Sequence, residues 1–159
     1  MKRGGIVTVR LTSRWPWNPV SLAIGVASGS RVFSHTITII GERAWEASMT
    51  HDCRAGSVDE LMAGIVRYRD VPVWVPDIDA AIQFGDGQVG KGYDFLGAVG
   101  IPLTYSEDWA DDSKWWCSEL SFAQVAAGGA FLFDPTEMKR VRPCDFLLCN
   151  IPKGVLTYA

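Results

Sequence analysis

Apolar and polar residues alternate most regularly in Arg31-Val32-Phe33-Ser34-His35-Thr36-Ile37-Thr38-Ile39-Ile40, where threonine and isoleucine take turns along a β-branched run. That alternation predicts a half-buried strand with His35, Ile37 and Ile39 on one face. Ile6-Val7-Thr8-Val9-Arg10-Leu11 reads as an earlier strand, and Gly41-Glu42-Arg43 turns the chain into Ala44-Trp45-Glu46-Ala47-Ser48, making a hairpin. Val71-Pro72-Val73-Trp74-Val75 predicts an edge strand, because Pro72 has no N–H to give a ladder.

Helical spacing lies between and after these runs. Ser57-Val58-Asp59-Glu60 is a capping box that opens a helix with Leu61, Met62, Ile65 and Val66 on its apolar side. Asp77 caps a short helix containing Ile78, Ala81 and Ile82, and glycines 85, 87, 90 and 92 predict a loop after it. Trp15-Pro16-Trp17-Asn18-Pro19 leads into a helix over Ser21 to Ala27, and Phe95 to Leu103 forms another that Pro102 disturbs. Toward the end, Phe131 to Pro135 is an apolar stretch and a turn, Arg142 to Leu148 a short helix opened by Pro143, and Val155 to Tyr158 a closing strand. The longest helical signal is Lys114-Trp115-Trp116-Cys117-Ser118-Glu119-Leu120-Ser121-Phe122-Ala123-Gln124-Val125-Ala126-Ala127-Gly128, with Cys117 in its first turn. Strands and helices mixed in this way, without repeats or linkers, predict one α+β domain over residues 1–159.

Composition narrows the function more than the fold. The chain has 159 residues, 48% of them hydrophobic, enough for a full core without staples. A net charge of −3 with no basic stripe argues against nucleic acid or an anionic membrane surface as the main partner. Four cysteines in dissimilar contexts, Cys53, Cys117, Cys144 and Cys149, read as reduced thiols. The start Met1-Lys2-Arg3 runs into a strand with a charge in it, not into an apolar targeting core, and no stretch has the apolar length of a membrane span. The expected location is the cytoplasm.

A cysteine in the first turn of a helix meets unpaired N–H groups and the positive end of the helix dipole, which favour the thiolate. Its base must come from two histidines, His35 and His51, and His35 is held on a strand, where an imidazole is positioned rigidly. The bland alternative is a buried apolar cysteine and a core histidine. His51, Asp52 and Cys53 with Cys117 and His35 give only a weak metal signal, because no pair has the close spacing of zinc ligands, so neither metal nor cofactor is expected. The seven tryptophans could line a carbohydrate or peptide groove, although they more often pack cores.

Ser34-His35 before a β-branched strand, Trp45-Glu46-Ala47-Ser48, Gly92-Tyr93-Asp94-Phe95 and Trp116-Cys117-Ser118-Glu119-Leu120 together resemble the permuted branch of the NlpC-type papain-like superfamily. YiiX-like amidases belong to that branch, and the lecithin:retinol acyltransferase group is related. The resemblance covers roughly residues 20–150, and its specific elements are Ser-His and Cys-Ser-Glu-Leu. In this branch the histidine precedes the cysteine, as His35 precedes Cys117 here. It implies a papain-like fold, with a central antiparallel sheet or partial barrel packed against helices.

For the site, the resemblance implies Cys117 as nucleophile, His35 as base and Glu46 as the carboxylate that orients the imidazole. Tyr93 would be a wall or oxyanion donor. An ideal hairpin with Glu42-Arg43 as its two-residue turn tests Glu46. It pairs Glu46 with Ile39, on His35's face but on the order of 13 Å along the strand, and sets Thr50 opposite His35 as the rival. Glu119, two positions from Cys117 on a helix, reads as a cap or structural partner. The implied activity is a cysteine-dependent hydrolase cleaving an amide through a thioester, with a peptide, peptidoglycan-fragment or acyl-amide substrate. The alternatives are an acyltransferase or lipid hydrolase, and a catalytically inactive binding module. For a lipid substrate the interfacial candidates are Trp15, Trp17, Trp115 and Trp116.

Overall fold

The computed structural model describes residues 2–13, 33–98, 113–134, 136 and 141–149. Among the described residues, five strands form one antiparallel sheet: β1 (Gly5–Ser13), β2 (His35–Ile40), β3 (Arg43–Ser48), β4 (Asp52–Ser57) and β5 (Arg67–Val75). Their order is β4-β3-β2-β1-β5, so the proline-bearing strand does lie at an edge. Helix α1 (Val58–Leu61) follows β4, α2 (Ile78–Gln88) follows β5, and α3 (Cys117–Ala127) and a 3-10 helix (Pro143–Leu148) come later. The architecture is mixed α and β.

The alternation seen in the sequence sorts the two faces of the sheet. Val7, Val9 and Leu11 of β1 stand with Trp45 and with Val71, Val73 and Val75 of β5 on the inner face. There they pack against Ile78 and Ala81 of α2, Phe122 and Val125 of α3, and Phe146 of the 3-10 helix. Ile37, Ile39 and Ala44 point outward and are covered by Leu61 of α1. Alternation works because each strand has a helix-covered face and no register slip can exchange the two without exposing the apolar set.

Several expectations change in detail. The β2–β3 turn is Gly41-Glu42, with Ile40 opposite Arg43, not Glu42-Arg43. Gly41 takes a φ of 60°, which a two-residue hairpin turn of the II′ kind requires at its first position. Half of the capping box is present, Ser57 accepting from the Glu60 N–H at 3.2 Å, but the helix stops at Leu61 and leaves Ile65 and Val66 outside it. Conversely, α2 runs through Gly85 and Gly87, which the sequence placed in a loop. Gly85 is helical for a packing reason: a Cβ there would meet the Gln124 side chain and the Trp45 ring. Strand β4 carries no alternation and was not predicted. Residues 95–98 are helical. The rest of that expected helix, residues 15–32 and the closing strand lie outside the described residues.

Candidate active site

Cys117 opens α3 as expected. Trp116 is the cap residue, with an extended backbone (φ −97°, ψ 170°) and no side-chain cap hydrogen bond, so no capping side chain occupies the first-turn N–H groups. The approach is pinned on both sides. Trp115 N–H donates to the Gly92 carbonyl (3.1 Å) and Asp94 N–H to the Trp115 carbonyl (3.0 Å), while Trp116 Nε1 and Ser118 Oγ both donate to the Val141 carbonyl.

β2 brings its first residue, His35, to the same place. The β2–β3 ladder covers Ile40, Ile39 and Thr38 and ends there. In an antiparallel hairpin whose Ile40 bonds across to Arg43, Thr38 and then Thr36 are the next residues with N–H groups aimed at β3. Past the end of the ladder Thr36 meets Cys117 instead, and its N–H and hydroxyl both act to lower the Cys117 thiol. Cys117 therefore occupies the position that β3 vacates. The thiol and the His35 ring are close enough that each shifts the other's titration.

Glu46 completes the row. Its Oε2 lies 2.7 Å from His35 Nε2, which leaves Nδ1 of the ring for the sulfur. The corrected turn explains the reach. Continuing its register sets Glu46 beside Ile37, diagonal to His35, so the separation on the order of 13 Å expected from the other turn does not arise. Thr50 is excluded as the rival, since its hydroxyl pairs with His51 Nδ1 at 2.7 Å. The second Glu46 oxygen, Oε1, accepts from Arg54 Nε at 2.7 Å, directly across the β3–β4 pair. Glu46 is 2% exposed, and His35 keeps 21% of its side chain open to solvent.

The charges follow from these contacts. Burial works against each ion, and the partners prevail. Burial would push the Cys117 thiol up, but the His35 charge and the two Thr36 donors bring it below the ordinary thiol value. Burial would lower His35, yet Cys117 and Glu46 raise it to about 10. Glu46, despite its burial, is held at about 2 by His35 and Arg54. The Cys117 and His35 shifts both favour the thiolate–imidazolium form of the pair. The other cysteines go the opposite way: burial, with a nearby aspartate, lifts Cys53 to about 12 and Cys149 to about 11, and raises Cys144. None of the four is in a disulfide.

Tyr93 reaches the site from a loop tied to the β4 edge. Cys53 N–H donates to the Lys91 carbonyl and Gly90 N–H to the Cys53 carbonyl, both at 2.8 Å, and Asp52 Oδ1 accepts from Tyr93 N–H at 3.1 Å. Asp52 does this from a left-handed conformation (φ 54°), a cost that aspartate bears better than most residues. Burial, and then the Cys117 charge, hold the Tyr93 hydroxyl well above the ordinary tyrosine range, so it remains a donor. Glu119 is buried in the first turn of α3, where its charge helps raise Cys53.

The structure thus brings His35 and Tyr93 into the neighbourhood of Cys117, with Glu46 behind His35. Arg54, Thr36 and Ser121 also belong to that neighbourhood, and the sequence reading passed over them. Among the described residues, no group of three or more His, Cys, Asp or Glu could hold a metal ion. None of the described helices is long and apolar enough to cross a membrane. Of the four tryptophans weighed for an interface, Trp116 is buried, Trp115 is half-buried edge-on to Phe84, and Trp15 and Trp17 lie outside the described residues. No protein-family model and no curated protein matches the chain.

Proposed function

We propose that this protein is a cysteine-dependent amide hydrolase of the permuted papain-like, NlpC type. The observation that carries the reading is the continuous row from the Cys117 sulfur through the His35 ring to Glu46, at the open end of a helix packed on an antiparallel sheet.

In this mechanism the Cys117 thiolate attacks the carbonyl carbon of an amide and the carbonyl oxygen becomes an oxyanion. The Cys117 backbone N–H and the Tyr93 hydroxyl are the donors assigned to receive it. His35 gives its proton to the departing amine, leaving a thioester on Cys117. A water molecule then loses a proton to neutral His35 and attacks the thioester, and the sulfur leaves as thiolate. Glu46 holds the ring orientation throughout and stabilises the imidazolium whenever it forms. Peptides, peptidoglycan fragments and acyl-amides are the substrate classes this chemistry serves. Hydrolysis is favoured over lipid acyl transfer because Trp116, one of the interfacial candidates, is committed to the interior.

The test is incubation with peptidoglycan fragments and with acylated amines, beside a Cys117→Ala variant, with mass spectrometry of the intact protein to trap the thioester. Release of amine together with an acyl adduct on Cys117, both lost in the variant, is the expected result. Equal release by the variant would overturn the reading.

A further inference from the structure

His35 approaches the Cys117 sulfur from one side. A line of hydroxyls approaches it from another. Thr38 Oγ1 donates to Ser121 Oγ at 3.0 Å, and Ser121 Oγ donates to Thr36 Oγ1 at 3.0 Å. The row ends at Thr36, whose hydroxyl and backbone N–H both act to lower the Cys117 thiol. All three hydroxyl residues are buried, Thr36 and Thr38 at 0% and Ser121 at 2% exposure.

The geometry comes from two periodicities that match. Thr36 and Thr38 are same-face neighbours on β2, and Ser121 follows Cys117 by four residues on α3, so the helix sets sulfur and hydroxyl one turn apart on the same side. Direction is fixed by proton count. Each hydroxyl has one proton to give. Once Thr36 donates to the sulfur it can only accept from Ser121, which in turn can only accept from Thr38. With Thr36 donating to the sulfur, the three hydroxyls would run toward that one atom, each strengthening the next. Valines and an alanine would fill the same space without burying any hydroxyl, so packing alone does not call for this row.

We propose that Thr36 is a further catalytic residue, donating its hydroxyl to the Cys117 sulfur, and that Ser121 and Thr38 are positioning residues that hold and polarise it. This rests on reading Cys117 as the nucleophile. No proton moves along the row. The donors stabilise the sulfur when it is anionic, before attack and again as it leaves the thioester, and they lose most of their hold when it is acylated and neutral. Among the described residues, the other titratable groups that face the sulfur are His35 from β2 and Tyr93 from the loop after α2. Glu46 and Arg54 stand behind His35, and Asp94 lies beside Tyr93.

The test is the pH profile of Cys117 alkylation, mapped by mass spectrometry, in the full chain and in Thr36→Val, Thr36→Ser, Ser121→Ala and the Thr36→Val/Ser121→Ala double variant. Thr36→Val keeps the backbone donor and loses the hydroxyl. Its midpoint should rise by about one pH unit, an about tenfold loss of thiolate below it, as befits one hydrogen bond to an ion. Thr36→Ser should keep the wild-type midpoint. Ser121→Ala should shift it upward by less, and should add nothing once Thr36 is valine, because its only route to the sulfur is through Thr36. Unchanged midpoints in Thr36→Val and Ser121→Ala would overturn the proposal. Should Thr36→Val fail to fold, Ser121→Ala decides alone, a raised midpoint supporting the proposal and an unchanged one overturning it. A wild-type midpoint at the ordinary thiol value would instead refute Cys117 as the nucleophile.

Discussion

Glu46 divides its two oxygens between a base and a cation, Oε2 on His35 and Oε1 on Arg54, and the behaviour of the site follows from that division. A buried carboxylate without Arg54 would take up a proton or turn toward water, and either change releases His35. Glu46→Gln should lower kcat/KM by about a hundredfold or more and raise the Cys117 titration midpoint, since the imidazolium loses its anion. Arg54→Met should cost about tenfold in the wild-type background and almost nothing in Glu46→Gln. A double-mutant cycle checks this, and additive losses would mean that Arg54 acts elsewhere. Selectivity among the thiols is a second residue-scale expectation. Limited alkylation at mildly acidic pH should label Cys117 well before Cys53, Cys144 or Cys149, whose thiols are all raised. Uniform slow labelling would contradict it. Cys117 and His35 could be read from the sequence because a helix start and a strand face are local patterns. Arg54 could not, because its role depends on pairing across a strand that no alternation announces.

Register and helix length are where elements departed from their sequence patterns. Moving the β2–β3 turn back by one position, from Glu42-Arg43 to Gly41-Glu42, slides the pairing by two residues and leaves every face unchanged. The pattern of buried residues therefore could not distinguish the two registers, although the glycine at position 41 favours the observed one. In α2 a local rule gave way to packing. Two glycines normally argue against a helix, but at Gly85 the helix passes so close to Trp45 and Gln124 that only glycine fits, while Gly87 has nothing within 4 Å of a would-be Cβ. Gly85→Val should destabilise the fold by about 1–3 kcal/mol through overpacking, whereas Gly87→Ala should stabilise it by up to about 1 kcal/mol through helix propensity. Urea denaturation measures both. Equal effects would show that propensity, and not the α2–α3 contact, governs this helix.

For the whole molecule, the site turns stability into a function of pH with a shape that depends on the Cys117 charge. Each group contributes with its own sign. Glu46, at about 2 in the fold against an ordinary 4.5, contributes fully above 4.5 and is lost as pH falls through about 2. His35, at about 10 against 6.5, contributes fully below 6.5 and is lost as pH rises through about 10. Cys117, lowered from 9.0, contributes fully above 9.0 and is lost as pH falls through its folded value. As pH rises from 6.5 toward 9.0 the folded chain loses on the histidine and, above the lowered Cys117 value, gains on the cysteine, so the cysteine offsets the decline that the histidine alone would give there. Stability should decline on the alkaline side from 9.0 toward 10, and on the acid side as Cys117 takes up its proton and, below 4.5, as Glu46 does. In Cys117→Ala the cysteine contribution disappears while Glu46 still holds His35 charged, so the pH of greatest stability should move down into the interval between 4.5 and 6.5. Tm measured from pH 3 to 10 in both proteins checks this, with about 2–4 °C expected for each kcal/mol in a chain of this size. Two profiles of the same shape would mean that the folded protein holds Cys117 as a neutral thiol, and the ion pair at the centre of the site would have to be abandoned.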